Sequence, residues 1–316
     1  MKRLIIIRIG VGLLTAWLVS ILVFVGTEFL PGDVAQAVLG RSATPETLAA
    51  VREQMGLNEP ALFRYFSWLG GFVTGDMGTS LANGVEISSL VADRLTNTLV
   101  LAGTTALFAV PLSVCLGLVS ATFPGTILDK VISLASLSFV SIPDFLLASI
   151  LVIIFAVGLH WFPSVSYITD GFRDVGHFFQ VMTLPVLTLS AAITAQMTRM
   201  VRATIVNILA SPYVEMALLK GVPRRKIIFV HALVNTIGPI ANVIALNLAY
   251  LISGVVIVET IFAYPGLAKL IVDGVTTRDF PIVQSCALIF CFGYIIFMLI
   301  ADILAIVSNP RLRRAS

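Results

Sequence analysis

The sequence predicts an all-α membrane protein with about six transmembrane helices, and three observations carry the prediction. Of its 316 residues, 58% are hydrophobic and only 12% charged, and a mean hydropathy of +1.01 lies far outside soluble globular usage. Apolar runs near residues 9–29, 98–121, 131–158, 181–207, 235–260 and 282–307 reach the length of about 20 residues that a spanning helix needs. The loops between those runs share their cations unequally. One face receives 13, namely Lys2, Arg3, Arg8, Lys130, Arg199, Arg202, Lys220, Arg224, Arg225, Lys226, Arg311, Arg313 and Arg314; the other receives seven, Arg41, Arg52, Arg64, Arg94, Arg173, Lys269 and Arg278. Four of those seven lie in one long loop, which weighs little in the rule that positive charge stays cytoplasmic. Both termini and the loop between the fourth and fifth spans are therefore expected in the cytoplasm.

Composition also narrows function. The net charge is only +3 and no basic tract is interleaved with aromatics, so no nucleic-acid partner is expected and the cations are read as orienting the chain in a lipid bilayer. Cys115, Cys286 and Cys291 sit in apolar runs, as small fillers and not as a disulfide or metal framework. His160, His177 and His231 are dispersed without ligand spacing, so no metal site is expected. The P-loop, HExxH, GxSxG and CxxC patterns are missing from the sequence, so the chain is expected to be no enzyme, to hydrolyse no ATP alone and to hold no cofactor.

The elements follow in order. Lys2, Arg3 and Arg8 before an apolar run, with Ala35-Gln36-Ala37 downstream, imitate a signal peptide. The uncharged stretch from Ile9 to Thr27 exceeds the usual signal core of about 7–15 residues, which predicts a retained first helix over 1–29. The segment 30–97 is expected outside the cytoplasm, structured, and capping the pore entrance. There Thr44, Pro45 and Glu46 start a helix whose Leu48, Val51 and Met55 share a face before Gly56 ends it. Gly75, Asp76 and Gly78 suit a tight turn.

Residues 98–308 hold the other five spans. The third carries Ser141-Ile142-Pro143-Asp144-Phe145 in its middle; proline loosens the helix, and an ionisable residue at depth is costly enough to be a functional candidate. Two readings stand for Asp144: it faces a translocation path, or it sits near an interface or pairs inside the bundle with an arginine or a freed backbone amide, for structure alone. The fourth span opens on Thr183-Leu184-Pro185 and ends at Arg199 and Arg202, cations suited to snorkelling at the boundary. Its Thr194, Gln196 and Thr198 either line a passage or join helices by hydrogen bonds. Ser253 and Gly254 permit close helix contact in the fifth, and the sixth stops at Asn309-Pro310 before an arginine-rich tail, 309–316.

Between the fourth and fifth spans lies the most polar interruption, Ser211 to Pro239. Ser211 suits an N-cap, Pro212 the first helical position, and Gly221 with Pro223 a stop, which predicts a short helix from about Pro212 to Lys220. Arg224, Arg225 and Lys226 then stand where the next helix begins, opposing its macrodipole. That placement suits an anionic surface, either lipid headgroups or an acidic partner groove, and it equally suits an ordinary positive-inside loop.

Glu215-Met216-Ala217 with Gly221 four residues after the alanine, continued by His231-Ala232-Leu233, Asn235 and Pro239, resembles the EAA loop of ABC importer membrane subunits of the dipeptide/oligopeptide (DppB/OppB) type. Leu30-Pro31-Gly32-Asp33, Gly56-Leu57-Asn58-Glu59-Pro60, Tyr65, Trp68-Leu69, Gly75-Asp76-Met77-Gly78-Thr79-Ser80 and the stretch Val258 to Leu267 resemble the same family, so the resemblance covers nearly the whole chain. Met216 and Val234 depart from its usual alanine and proline. The resemblance implies the type I (MetI-like) importer fold and a permease subunit for di- or oligopeptides or a related solute such as glutathione, a nickel chelate, an opine or a saccharide. It implies a second homologous permease subunit, two ABC ATPase subunits that use ATP and Mg, an extracytoplasmic solute-binding protein, and a bacterial or archaeal cytoplasmic membrane. Tyr213, Glu215, Ala217, Leu218, Gly221, Arg224 and Arg225 are then the coupling loop, and Asp144, Ser141 and Gln196 the candidate path. The competing classes are a secondary transporter working without ATP, which calls for intramembrane charge pairs or matched broken helices, and a membrane scaffold subunit.

Overall fold

The computed structural model describes residues 2–29, 35, 39, 44–54, 58–167, 174–223 and 233–308, with the side chains of 2–5, 54, 213, 233–235, 252–254 and 305–308 excepted. Eleven helices are described: α1 (Lys2–Glu28), α2 (Pro45–Gln54), α3 (Ala61–Thr74), α4 (Ile87–Thr122), α5 (Ile127–Ser141), α6 (Asp144–Leu151), α7 (Val175–Leu209), α8 (Pro212–Leu219), α9 (Leu233–Ile261), α10 (Leu267–Thr277) and α11 (Phe280–Ser308). A π-helical turn, Val152–Gly158, continues α6. Among the described residues the only extended pairing is an isolated bridge between Thr79 and Glu86.

Among the described residues four helices are long and apolar enough to cross a membrane, or up to six spans if each of two bent pairs counts as one, at the six places the sequence marks. The long pair α4 and α7 forms the centre. Gly117 lets them approach, since a Cβ there would lie 2.7 Å from Val201 Cγ1. Around that pair a core of Leu101, Met182, Leu184, Leu251, Phe262 and Tyr264 fills one half of the bundle, and Ala121, Met197, Val201, Ile205, Ile240 and Val243 fill the other. Several buried hydroxyls are returned to their own helix: Thr105 donates to Leu101 O at 2.8 Å and Thr188 to Leu184 O at 2.9 Å. A bilayer interior offers no water to satisfy them otherwise.

The third span differs from a loosened helix. Its arms α5 and α6 turn by 100°, because Pro143 has no N–H to give and holds Ile142 extended, at φ −87° and ψ 122°. Leu159 N then bonds to Ile154 O, five residues back, at 2.9 Å. The fifth span bends by 42° between Thr236–Leu251 and Val255–Ile261.

The segment after α1 is held at several points. Thr47 N reaches Thr44 Oγ1 at 3.3 Å, so Thr44 caps α2 as expected, while Met55 and Gly56 lie outside the described residues. Helix α3 runs along α1 and α11, with Tyr65 Oη 2.8 Å from Ser20 Oγ, Arg64 paired with Glu28 at 2.5 Å, and Phe72 stacked on Phe292. Its Leu62, Phe63, Phe66 and Val73 are exposed. Gly75 and Gly78 take positive φ, and Gly78 N bonds to Asp76 Oδ1 at 3.0 Å, which is the tight turn. The next turn is pinned across the chain, since Ser80 Oγ donates to Asp279 Oδ2 at 2.5 Å.

Candidate functional site

Helix α8 leaves the bundle directly from the end of α7. Pro212 occupies its first turn, as the sequence predicts, but Ser211 does not cap it. The serine hydroxyl turns back to Ile208 O at 2.5 Å, closing the carbonyl end of α7 in place of the amide end of α8. The stop is a paired one: Val222 N reaches Ala217 O at 3.1 Å and Gly221 N reaches Leu218 O at 2.9 Å. In this Schellman arrangement Gly221 holds φ +76°, a left-handed conformation that glycine adopts without steric cost.

Val214 is 1% exposed and roots the helix. Glu215 is exposed, Ala217 half-buried, and Met216, Leu218 and Leu219 are 53%, 52% and 77% exposed. The predicted coupling residues Glu215, Ala217, Leu218 and Gly221 thus share one short displayed element. Tyr213 belongs to the same helix, with its side chain outside the described residues, as are Arg224 and Arg225. The helix thus displays one acidic side chain, Glu215, among exposed apolar ones, with its end fixed at Gly221.

The candidate path residues are less united. Ser141 and Asp144 flank the bend of the third span, the serine exposed and the aspartate half-buried, and Ser141 Oγ is spent on Leu137 O at 2.8 Å. Gln196 is exposed on α7, while Thr194 and Thr198 beside it are buried. Thr198 Oγ1 leans across to Ser113 O on α4 at 3.5 Å, and Thr194 Oγ1 has no partner. A cavity of about 340 Å³ between α4, α5 and α7 is lined by Phe108, Leu112, Val131, Ser136, Thr194 and Thr198 among others, and by none of the three candidates.

Sequence reasoning overlooked the charged groups that tie helices together. Arg202 does not simply snorkel: Nε lies 2.8 Å from Asp129 Oδ1 and Nη2 2.9 Å from Oδ2. Arg8 pairs with Asp302 at 3.0 Å, joining α1 to α11. Glu259 is fully buried and accepts from Thr98 Oγ1 at 2.6 Å and Lys269 N at 3.0 Å. In the turn beside it Tyr264 donates to Asn97 O at 2.8 Å, and burial pushes its phenol pKa upward. The signal available for each was an acid inside or beside an apolar run; the partner stands too far along the chain to be named from spacing.

An all-helical bundle with four to six candidate spans and a short helix displayed at one end defines a multi-pass membrane protein. Residues 113–314 match the family described as binding-protein-dependent transport system inner membrane component, and residues 1–102 match the binding-protein-dependent transport system membrane component, N-terminal. The chain belongs to this family, the membrane permease components of ABC importers. It is 33% identical over 299 residues, 95% of each chain, to the glutathione transport system permease protein GsiC of Escherichia coli, and equally to GsiC of Shigella flexneri. It is 33% identical over 296 residues, 94% of each chain, to the probable peptide ABC transporter permease protein y4tP of Sinorhizobium fredii.

Proposed function

We propose that this chain forms one half of the translocation pathway of an ATP-driven importer for di- or oligopeptides, glutathione among them, and that α8 is its coupling helix. The observation that carries the reading is the exposed face of α8 with its Gly221 stop. The peptide and glutathione permeases it resembles along their length support the substrate class. The assembly so implied has a second homologous permease subunit and two ABC ATPase subunits that bind ATP and Mg. It also has an extracytoplasmic solute-binding protein that delivers the peptide. Residues 30–97 then face outward, 98–308 form the core with the loop 211–239 toward the ATPases, and the tail 309–316 is cytoplasmic.

The chain's part is mechanical. ATP closes the two ATPases, their clefts carry the coupling helices together, and the bundle passes between inward-open and outward-open states, each favoured only by its differential contacts with the partners. Gly221→Asp puts a side chain and a charge on the left-handed stop; uptake is expected to be lost while membrane insertion is retained. Affinity purification of the tagged chain from native membranes in mild detergent, with mass spectrometry and an ATPase assay, is the first test. A co-eluting second permease and P-loop ATPases are expected. An ATPase-free homo-oligomer that still moves solute in liposomes would instead establish the secondary-transporter class.

A further inference from the structure

We propose that Asp129 and Arg202 are a positioning pair that makes the α4–α5 hairpin and the α7–α8 junction move as one body. Displacement of α8 is thereby delivered to α5 and to the cavity beside it. This rests on the importer reading above.

Asp129 is the third residue of α5, and its side chain is only 6% exposed. Its two oxygens receive Arg202 Nε at 2.8 Å, Arg202 Nη2 at 2.9 Å, Ser120 Oγ from α4 at 2.5 Å and Gly125 N from the intervening turn at 2.9 Å. Arg202 Nε also lies 3.0 Å from Ser120 Oγ. Three helices therefore meet on one carboxylate, in the two-pronged geometry that makes arginine–carboxylate pairs strong and directional. Arg202 stands two turns before the end of α7, where Ser211 hands the chain to α8.

The fastening is local. Close to it, Gly117 brings α4 and α7 into backbone contact. From Val131 and Thr198 onward, directly beside the pair, α5 and α7 line the 340 Å³ cavity together with α4, and α5 then ends at the 100° bend. A helix held at one end, with space beside it and a break at the other, swings about the held end. A rigid pair at the α8 end is what converts motion of α8 into that swing. Hydrogen-bond and ion-pair networks of this kind carry coupling between sites where the elements they join have two discrete arrangements.

The test uses the purified complex with its partner ATPases in liposomes, with glutathione and alanyl-alanine as uptake probes. With Asp129→Asn, basal ATP hydrolysis is expected to persist, while solute moved per ATP falls about tenfold, within the range for mutations in a coupling network. Asp129→Glu, which keeps the charge, restores it. Loss of uptake and hydrolysis in equal proportion to lost complex would reduce the pair to a structural brace and overturn the proposal. Should the Asn variant fail to assemble, spin labels on a cysteine-free background decide. The Lys130–Ala203 spacing is expected to stay fixed between nucleotide-free and ATP-trapped states while the Leu137–Ala191 spacing changes. Equal change in both overturns the proposal. A wild-type complex without ATP-dependent uptake and without co-purifying ATPase would overturn the importer reading, a separate result.

Discussion

Glu259 has no exposed surface, yet each carboxylate oxygen has work at the start of α10. Oε1 accepts from Thr98 Oγ1 at 2.6 Å and Oε2 from Lys269 N at 3.0 Å, while Thr98 Oγ1 accepts from Leu267 N at 2.8 Å. Helix α10 begins on Gly266, which offers no side-chain cap, so the acid and the threonine from neighbouring helices satisfy the amides and answer the positive end of the dipole. A Cβ on Gly266 would collide with the Glu259 carboxylate. Gly266→Ala is therefore expected to displace it and leave buried donors unpaired, costing about 1–3 kcal/mol. Glu259→Gln keeps the shape but turns one acceptor into a donor, and a smaller loss is expected. Thermal melting of the purified chain in detergent ranks the two, and an unchanged midpoint for Gly266→Ala would contradict this account. The sequence shows Glu259 only as an acid near the end of a span. Its partner Thr98 is 161 residues away, as Ser80 is 199 from Asp279, and no local pattern registers contacts at that separation.

Spans are legible in sequence because the bilayer imposes their length and apolarity, and each of the six runs has its helix or helix pair. Bends are set by something else. Pro111, Pro185 and Pro239 lie inside α4, α7 and α9, while Pro143 separates α5 from α6 by 100°. A proline removes one bond in every case; the turn follows only where the flanking residue settles in an extended conformation, as Ile142 does, and where packing holds both arms. Here α6 is held against α7 and α9 through buried Leu147 and Ala148. Pro143→Ala restores the missing donor and frees Ile142 to be helical. Labels at Leu134 and Ile153 are expected to lie about 18 Å apart across the native bend and about 28 Å apart in a straight helix of 1.5 Å rise. Pulsed spin-label distances should show the longer population appear in the variant, with uptake reduced. A single short distance in the variant would mean that packing alone makes the bend. The same division holds for α8: its ends were legible from Pro212 and Gly221, but the turn of the Ser211 hydroxyl to Ile208 depends on how α7 finishes.

Contacts along the bundle fix which ends belong together. Arg8 meets Asp302 and Thr27 meets Gln284 at 2.6 Å, so α1 and α11 are antiparallel and the chain starts and finishes at one end. Arg202 meets Asp129 at that end of α7, and Ile205 packs with Ile240 near the start of α9. Thr98 meets Glu259, and Ile87 packs with Ile282, at the opposite end. The bent third span leaves from Asp129 and arrives at Ser166, whose N–H bonds to Phe262 O at 2.7 Å; Phe262 follows Glu259 in the far turn. The 100° pair therefore runs from one end of the bundle to the other, and the start of α1, the end of α11 and the α7–α8 junction lie at the same end. Charge then says which side. The sequence assigns 13 of the 20 Lys and Arg to the loops expected beside α8, and because moving such clusters across a bilayer is disfavoured, that end is expected to be cytoplasmic. A C-terminal fluorescent-protein fusion is expected to fluoresce and a C-terminal alkaline phosphatase fusion to be inactive, whereas phosphatase fused in the turn after α3 should be active. An active C-terminal phosphatase would contradict the expected cytoplasmic placement of α8, because the end of α11 and the α7–α8 junction lie at the same end of the bundle.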